Sequence, residues 1–224
     1  MASFLPVLRS LDMSRWYNYI AKFYDNFSTQ TYQKPRKALI DKLGMRSGDT
    51  VLLVGCGTGL LFQLIQDRIG ERGMLVGLDA SKNMLSQAAN KVRRNEWNNI
   101  HLIHADARDM SSQLIKENIG KDVAFDHVIG ELSFSVMPEW QSIMRLSMDL
   151  LKDRGKFGVL DGYRPKKDWL NLILNVLPQS DISRPISSYL NELTQNYSEE
   201  TFGLTKIVFI GVGHKIISDM RREA

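Results

Sequence analysis

The stretch "VLLVGCGTGLLFQLI" (51–65) constrains this chain's fold more than any other. Four apolar residues run into glycines at 55, 57 and 59, and an amphipathic run follows at once. That order predicts a buried strand, a tight turn and a helix. Such a turn sets the next helix's N-terminus beside a ligand, where free backbone N–H groups and the helix dipole favour an anionic group. A dinucleotide turn, G-x-G-x-x-G, asks for a small residue at position 60, and position 60 is Leu. The strand "VLLV" itself carries no acid.

The same alternation continues along the chain. "GMLVGLDAS" (73–81), "IHLIHADA" (100–107), "AFDHVIGE" (124–131) and "KFGVLDGY" (156–163) read as further strands. Ser81 is placed to cap a helix over "SKNMLSQAANKVRRN", and "WQSIMRLSMDLLK" (140–152) has helical spacing. Strands alternating with helices predict an α/β fold, a mainly parallel sheet with helices on both faces. "YSEETFG" and "KIVFIGVGH" predict an antiparallel hairpin at the sheet edge, and the aromatic-rich N-terminal segment predicts helices. No repeat or linker divides the 224 residues, so one domain is expected, with 1–43 as a helical lid and 44–224 as the core.

Composition narrows the partners. No apolar run approaches the roughly 18 residues of a membrane span. The N-terminus, broken by Pro6 and Arg9, does not read as a signal peptide, and the single Cys56 fits a reducing compartment, which predicts a cytoplasmic protein. The net charge of +4 is mild, and its small clusters (Lys91–Arg94, Arg164–Lys167, Arg221–Arg222) form no stripe of the kind nucleic acid requires. The histidines and Cys56 show no metal-ligand spacing.

Strand-end residues sharpen the ligand. Asp79, twenty residues past Gly59, can accept hydrogen bonds from two ribose hydroxyls, and Asp106 in "HADARD" can take an adenine amino group. With G-x-G-x-G in place of the dinucleotide pattern, these positions suit S-adenosylmethionine. "VLLVGCGTG", "LVGLDAS", "HADA" and "FDHVIGELSFSVMPEW" resemble the ordered motifs of the class I, Rossmann-like S-adenosylmethionine-dependent methyltransferases. The resemblance implies a seven-stranded sheet whose last strand is antiparallel. It places the cofactor on Val54, Gly55, Cys56, Gly57, Thr58, Gly59, Asp79, Ala80, Met84, Asp106, Ala107 and Glu131. One departure stands out: the family carries an acid two residues before the first glycine, where it helps hold the cofactor's ammonium group, and here that residue is Leu53.

Methyl transfer from a sulfonium is an in-line displacement that needs alignment and water exclusion more than covalent help. Glu131, Tyr17 and Tyr24 are the candidates to face the methyl group, Glu131 by attracting a cationic amine or accepting a proton. "GELSFSVMPEWQSIM" and "VLDGYRP" resemble bacterial phosphatidylethanolamine N-methyltransferases, with the ubiquinone and menaquinone C-methyltransferases sharing the plan. The expected acceptor is a small molecule or lipid, an amine headgroup first and a quinone second. A cofactor-binding but catalytically silent subunit is the reading from another class. "FLPVLRSLDMSRWYNYIAKFYDNF" and "DWLNLILNVLP" (168–178) mix apolar, aromatic and basic residues as interfacial helices do, which predicts peripheral contact with an anionic membrane.

Overall fold

A computed structural model describes residues 32–164 and 180–216. Tyr17, Tyr24, the 168–178 stretch and Arg221–Arg222 lie outside the described residues. In chain order the elements are helix α1 over 32–43, β1 (Thr50–Val54), α2 (Phe62–Ile69), β2 (Met74–Asp79) and α3 (Lys82–Arg94). Then come β3 (Ile100–His104), a 3₁₀ turn (Ala107–Asp109), α4 (Ser112–Ile119), β4 (Phe125–Glu131) and α5 (Trp140–Leu150). β5 (Leu151–Gly162), α6 (Ile186–Leu193), β6 (Thr194–Phe202) and β7 (Val208–Lys215) complete the set.

The strands form one seven-stranded sheet in the order β3-β2-β1-β4-β5-β7-β6. β1 to β5 are parallel, and β7 runs against both of its neighbours. The Rossmann-like architecture expected from the sequence, with its last strand antiparallel, is the one observed. The central strand shows why "VLLV" carries no charge. Leu52 and Val54 enter the apolar cluster on one face, Val51 and Leu53 the cluster on the other, and all four are at most 1% exposed. A strand covered on both faces reads as a continuous apolar run.

Helices α4, α5 and α6 cover the first face through Ile115, Ile143, Met144 and Ile186. Helices α1, α2 and α3 cover the second through Leu39, Ile40, Phe62, Ile65 and Leu85. The described part of the expected lid, 32–43, is therefore packed on the sheet as α1. Ser81 caps α3 as anticipated, its hydroxyl accepting from the Met84 amide at 3.3 Å.

One boundary differs from the helical spacing read at 140–152. The helix ends at Leu150, and β5 begins at once, since Leu151 pairs with Phe125. Pairing then jumps to Lys156 opposite His127, and Arg154 (φ 63°) takes the left-handed conformation within the intervening bulge. A polar "KDRG" gives no period to distinguish a bulge from a loop.

Candidate functional site

The order of strands reverses between β1 and β4, and in open α/β sheets that switch point opens a crevice at the strands' carboxyl ends. Here it holds a cavity of about 360 Å³. After Val54 the chain turns through Gly55 (φ 71°), whose amide and that of Cys56 both donate to the Leu78 carbonyl, at 2.8 and 3.0 Å. Asp79, the last residue of β2, locks the turn. One carboxylate oxygen accepts from the Gly57 amide at 2.8 Å, the other from the Ser81 amide at 2.8 Å. Burial raises the Asp79 carboxyl above its usual range, with the two amides opposing.

The turn's glycines serve different ends. A Cβ on Gly55 would come within 2.8 Å of Met137 Cε and 2.9 Å of Ser133 Cβ, so only glycine lets the loop after β4 close on the turn. A Cβ on Gly59 (φ 78°) would meet the Phe62 ring at 2.6 Å; this glycine allows the turn to pack on α2. Val54 and Gly59 stand beside the cavity without lining it, whereas Gly55, Gly57, Asp79, Ala80, Met84, Asp106 and Ala107 all line it.

On the β3 side, Asp106 caps the 3₁₀ turn, accepting from the Arg108 amide at 2.9 Å. Arg108 also grips both Asp106 oxygens, at 3.0 and 2.7 Å, which holds that carboxyl below its ordinary value. The same guanidinium lies 3.6 Å from Glu139 and so spans the mouth between two loops.

The opposite wall comes from the loop after β4. Leu132, Val136, Met137 and Pro138 of that loop, with Ile143 of α5, make it apolar. Leu132 adopts φ 50°, and Asp161 on β5 anchors the loop by accepting from the Ser135 amide at 3.0 Å. Glu131 also lines the cavity, but its carboxylate is ion-paired with Arg36 of α1, the two side chains being 10% and 4% exposed. Burial raises the Glu131 carboxyl while the Arg36 charge opposes the rise. Cys56 and Thr58 line a smaller crevice beside the turn. Cys56 is buried and its thiol is pushed well up, chiefly by that burial, so it acts as small-residue packing against Gly77.

Arg36, Ser133, Asp161 and Arg108 were not singled out from the sequence. Two of them left a signal. Arg36 falls at i of an i, i+3, i+4, i+7 set with Leu39, Ile40 and Leu43, all buried, a charge on an apolar stripe. Asp161 interrupts the apolar run "GVLDGY" of a strand buried on both faces.

The residues fit a nucleoside cofactor with an amino-acid tail: an acid at each of two strand ends, an open glycine turn, and a buried Ser133 hydroxyl without a partner among the described residues. Together with the sheet order, they define a class I S-adenosylmethionine-dependent methyltransferase. A methyltransferase-domain family matches residues 45–199, and the chain belongs to that family. A demethylmenaquinone methyltransferase of Oceanobacillus iheyensis is 28% identical over 138 residues, covering 62% of this chain and 55% of that protein. One from Listeria monocytogenes is 27% identical over 150 residues, covering 65% and 60%. The chain thus spans little more than half the length of these curated relatives. Among solved structures, the complex between the Haloferax volcanii Trm112 methyltransferase activator and a putative methyltransferase matches with TM-score 0.72 at 15% identity, covering 92% of this chain and 98% of that one. A SAM-dependent methyltransferase from Aquifex aeolicus matches with TM-score 0.56 at 15% identity, over 81% and 89%.

Proposed function

We propose that this chain transfers the methyl group of S-adenosylmethionine to an uncharged acceptor with an apolar ring, a quinol or phenol in type. The observation that carries the reading is the apolar wall that the loop after β4 gives the cavity. Glu131, the group expected to attract a cationic amine, is ion-paired with Arg36 beside the glycine turn, at one end of the cavity. The facing wall of Leu132, Val136, Met137 and Pro138 suits a flat apolar body instead. The curated relatives, named for demethylmenaquinone, agree with a ring acceptor.

When bound, the cofactor would supply an electrophilic methyl group on a sulfonium that leaves as a neutral thioether, and the quinol or phenol would give up one proton, from its hydroxyl or ring carbon, to solvent at the cavity mouth as it gains the methyl. The chain's own residues do the rest. Asp79, which holds the turn, would receive the ribose hydroxyls, Asp106 would receive the adenine amino group, and Gly55 and Gly57 would admit close approach of the backbone. The apolar wall excludes water, and alignment of acceptor and methyl supplies the rate. Burial of an apolar ring against this wall contributes about 25 cal/mol per Å².

The test is transfer of isotope-labelled methyl to a panel: a demethylquinol, a simple phenol, an ethanolamine phospholipid and free ethanolamine. Label on the quinol or phenol is the expected result. Label confined to the phospholipid amine would restore the headgroup as acceptor, and cofactor binding with no labelled product would mark a silent subunit.

A further inference from the structure

The acid that the family places before the first glycine is missing, and here position 53 is given over to apolar packing. Leu53 is 1% exposed within the apolar cluster beneath α1, α2 and α3. A carboxylate arrives at the turn by another route. β4 runs parallel to β1 with Val54 opposite Gly130, so Glu131, the next residue, stands beside Gly55. Glu131 and Arg36 then line, with Gly55, Gly57 and Thr58, a crevice of about 30 Å³. That crevice shares Gly55, Gly57 and Glu131 with the main cavity, so it continues the cofactor site past the glycine turn.

A separate observation points to a ligand at the same place. Ser133 is 3% exposed, and its hydroxyl finds no partner among the described residues. It lies against Gly55, its Oγ 3.7 Å from where a Cβ of that glycine would be, and it lines the main cavity. Buried hydroxyls are ordinarily hydrogen-bonded, so one left over beside a ligand cavity marks a contact that the ligand completes.

We propose that Arg36 and Glu131 together read the zwitterionic amino-acid end of the cofactor, Arg36 taking the carboxylate and Glu131 the ammonium, with Ser133 Oγ as a further contact. The proposal rests on the cofactor assignment above and adds the residues that hold its tail. A guanidinium presents five N–H donors in a planar fork that matches a carboxylate, and a carboxylate accepts from an ammonium. Two opposite charges set side by side in the wall complement a ligand carrying the same two charges reversed. Each of the four groups then has two neighbours of opposite sign. An isolated acid at residue 53 could serve only the ammonium. The pair is formed before the ligand arrives, so the cost of burying it falls on folding rather than on binding.

A structural role alone, pinning α1 to β4, is the rival account. It separates from ours by comparing S-adenosylhomocysteine with 5′-methylthioadenosine, which keeps adenine, ribose and thioether but has no amino acid. Calorimetric titration of both ligands is run on the wild type, Arg36→Met, Arg36→Lys, Glu131→Gln and the Arg36→Met/Glu131→Gln double variant. We expect the wild type to prefer S-adenosylhomocysteine. Each single substitution of Arg36→Met or Glu131→Gln should lower that ligand's affinity about tenfold or more, leaving methylthioadenosine affinity almost unchanged. Arg36→Lys should fall between. If Arg36→Met does not fold, the neutral double variant and Arg36→Lys carry the same comparison. Equal losses for both ligands, or a wild type that does not discriminate between them, overturn the proposal while leaving the cofactor assignment standing. A wild type that binds neither ligand removes both.

Discussion

The proposed ribose contact would give Asp79 two tasks in one side chain, because its carboxylate already accepts the Gly57 and Ser81 amides. Removing it takes away charge-assisted bonds worth about 1.5–3 kcal/mol each, and leaves two amides in want of acceptors. Asp79→Ala should therefore lower affinity for S-adenosylhomocysteine about 100-fold by calorimetry, with Asp79→Asn retaining part of it. Equal affinity in Asp79→Ala would sink the ribose assignment. Leu132 shows a different residue-scale device. A leucine in the left-handed region costs about 1 kcal/mol or more. Its amide nevertheless donates to the Leu160 carbonyl at 2.7 Å, holding the bend that sets Glu131 and Ser133 on either side of it. No pattern in "GELSFSV" announces that conformation, because glycine is the residue that normally carries it and none stands at the bend itself.

At the scale of elements, the ends of β1, β4 and β5 remote from the cavity are tied by charge. Asp126 accepts from the Thr50 amide and hydroxyl, both at 2.8 Å, and from Lys152 at 2.8 Å. Lys156 donates to the Leu43 carbonyl at 2.7 Å, satisfying the end of α1. His127 Nε2 meets Asp49 at 2.9 Å, and burial lowers the imidazole's pKa despite that acid and Asp126. A histidine depressed in the fold contributes stability that is complete above its unfolded value of 6.5. That contribution is lost as pH falls below 6.5 toward the folded pKa, because the unfolded chain then binds the proton first. The melting-temperature advantage of wild type over His127→Gln should shrink between pH 7.5 and about 5.5. A constant gap across that range would show that His127 keeps its ordinary titration. This cluster was invisible in the sequence because its members, 49, 126, 127 and 156, meet only through strand register.

For the whole molecule, the strand–turn–helix at 51–65 and the alternation of elements made the fold legible, since each rests on local spacing, and the acids at 79 and 106 line one cavity. The Arg36–Glu131 pair was not legible, since its partners are 95 residues apart and only the sheet brings them together. The acceptor's surroundings remain a molecular property too. No helix among the described residues is long and apolar enough to cross a membrane. We propose that an apolar acceptor is met at a bilayer surface, where each well-placed basic residue would contribute about 1 kcal/mol on anionic lipid. The chain should co-sediment with anionic vesicles at low salt and be released at high salt. Failure to sediment at low salt would place the acceptor in water.

The sheet order carries a consequence for synthesis. β7, the last of the described strands to be made, lies inside the sheet, between β5 and β6. Until it emerges, β5 presents a bare edge whose "KFGVLDG" is mostly buried in the finished fold, and β6 has no neighbour at all. Ribosomes add about 5–20 residues per second, so this interval lasts seconds, long enough for edges to find one another on crowded polysomes. A chain broken off before Val208 would lose more than a terminus: it would keep the glycine turn and both strand-end acids, yet expose the seam along which such fragments aggregate.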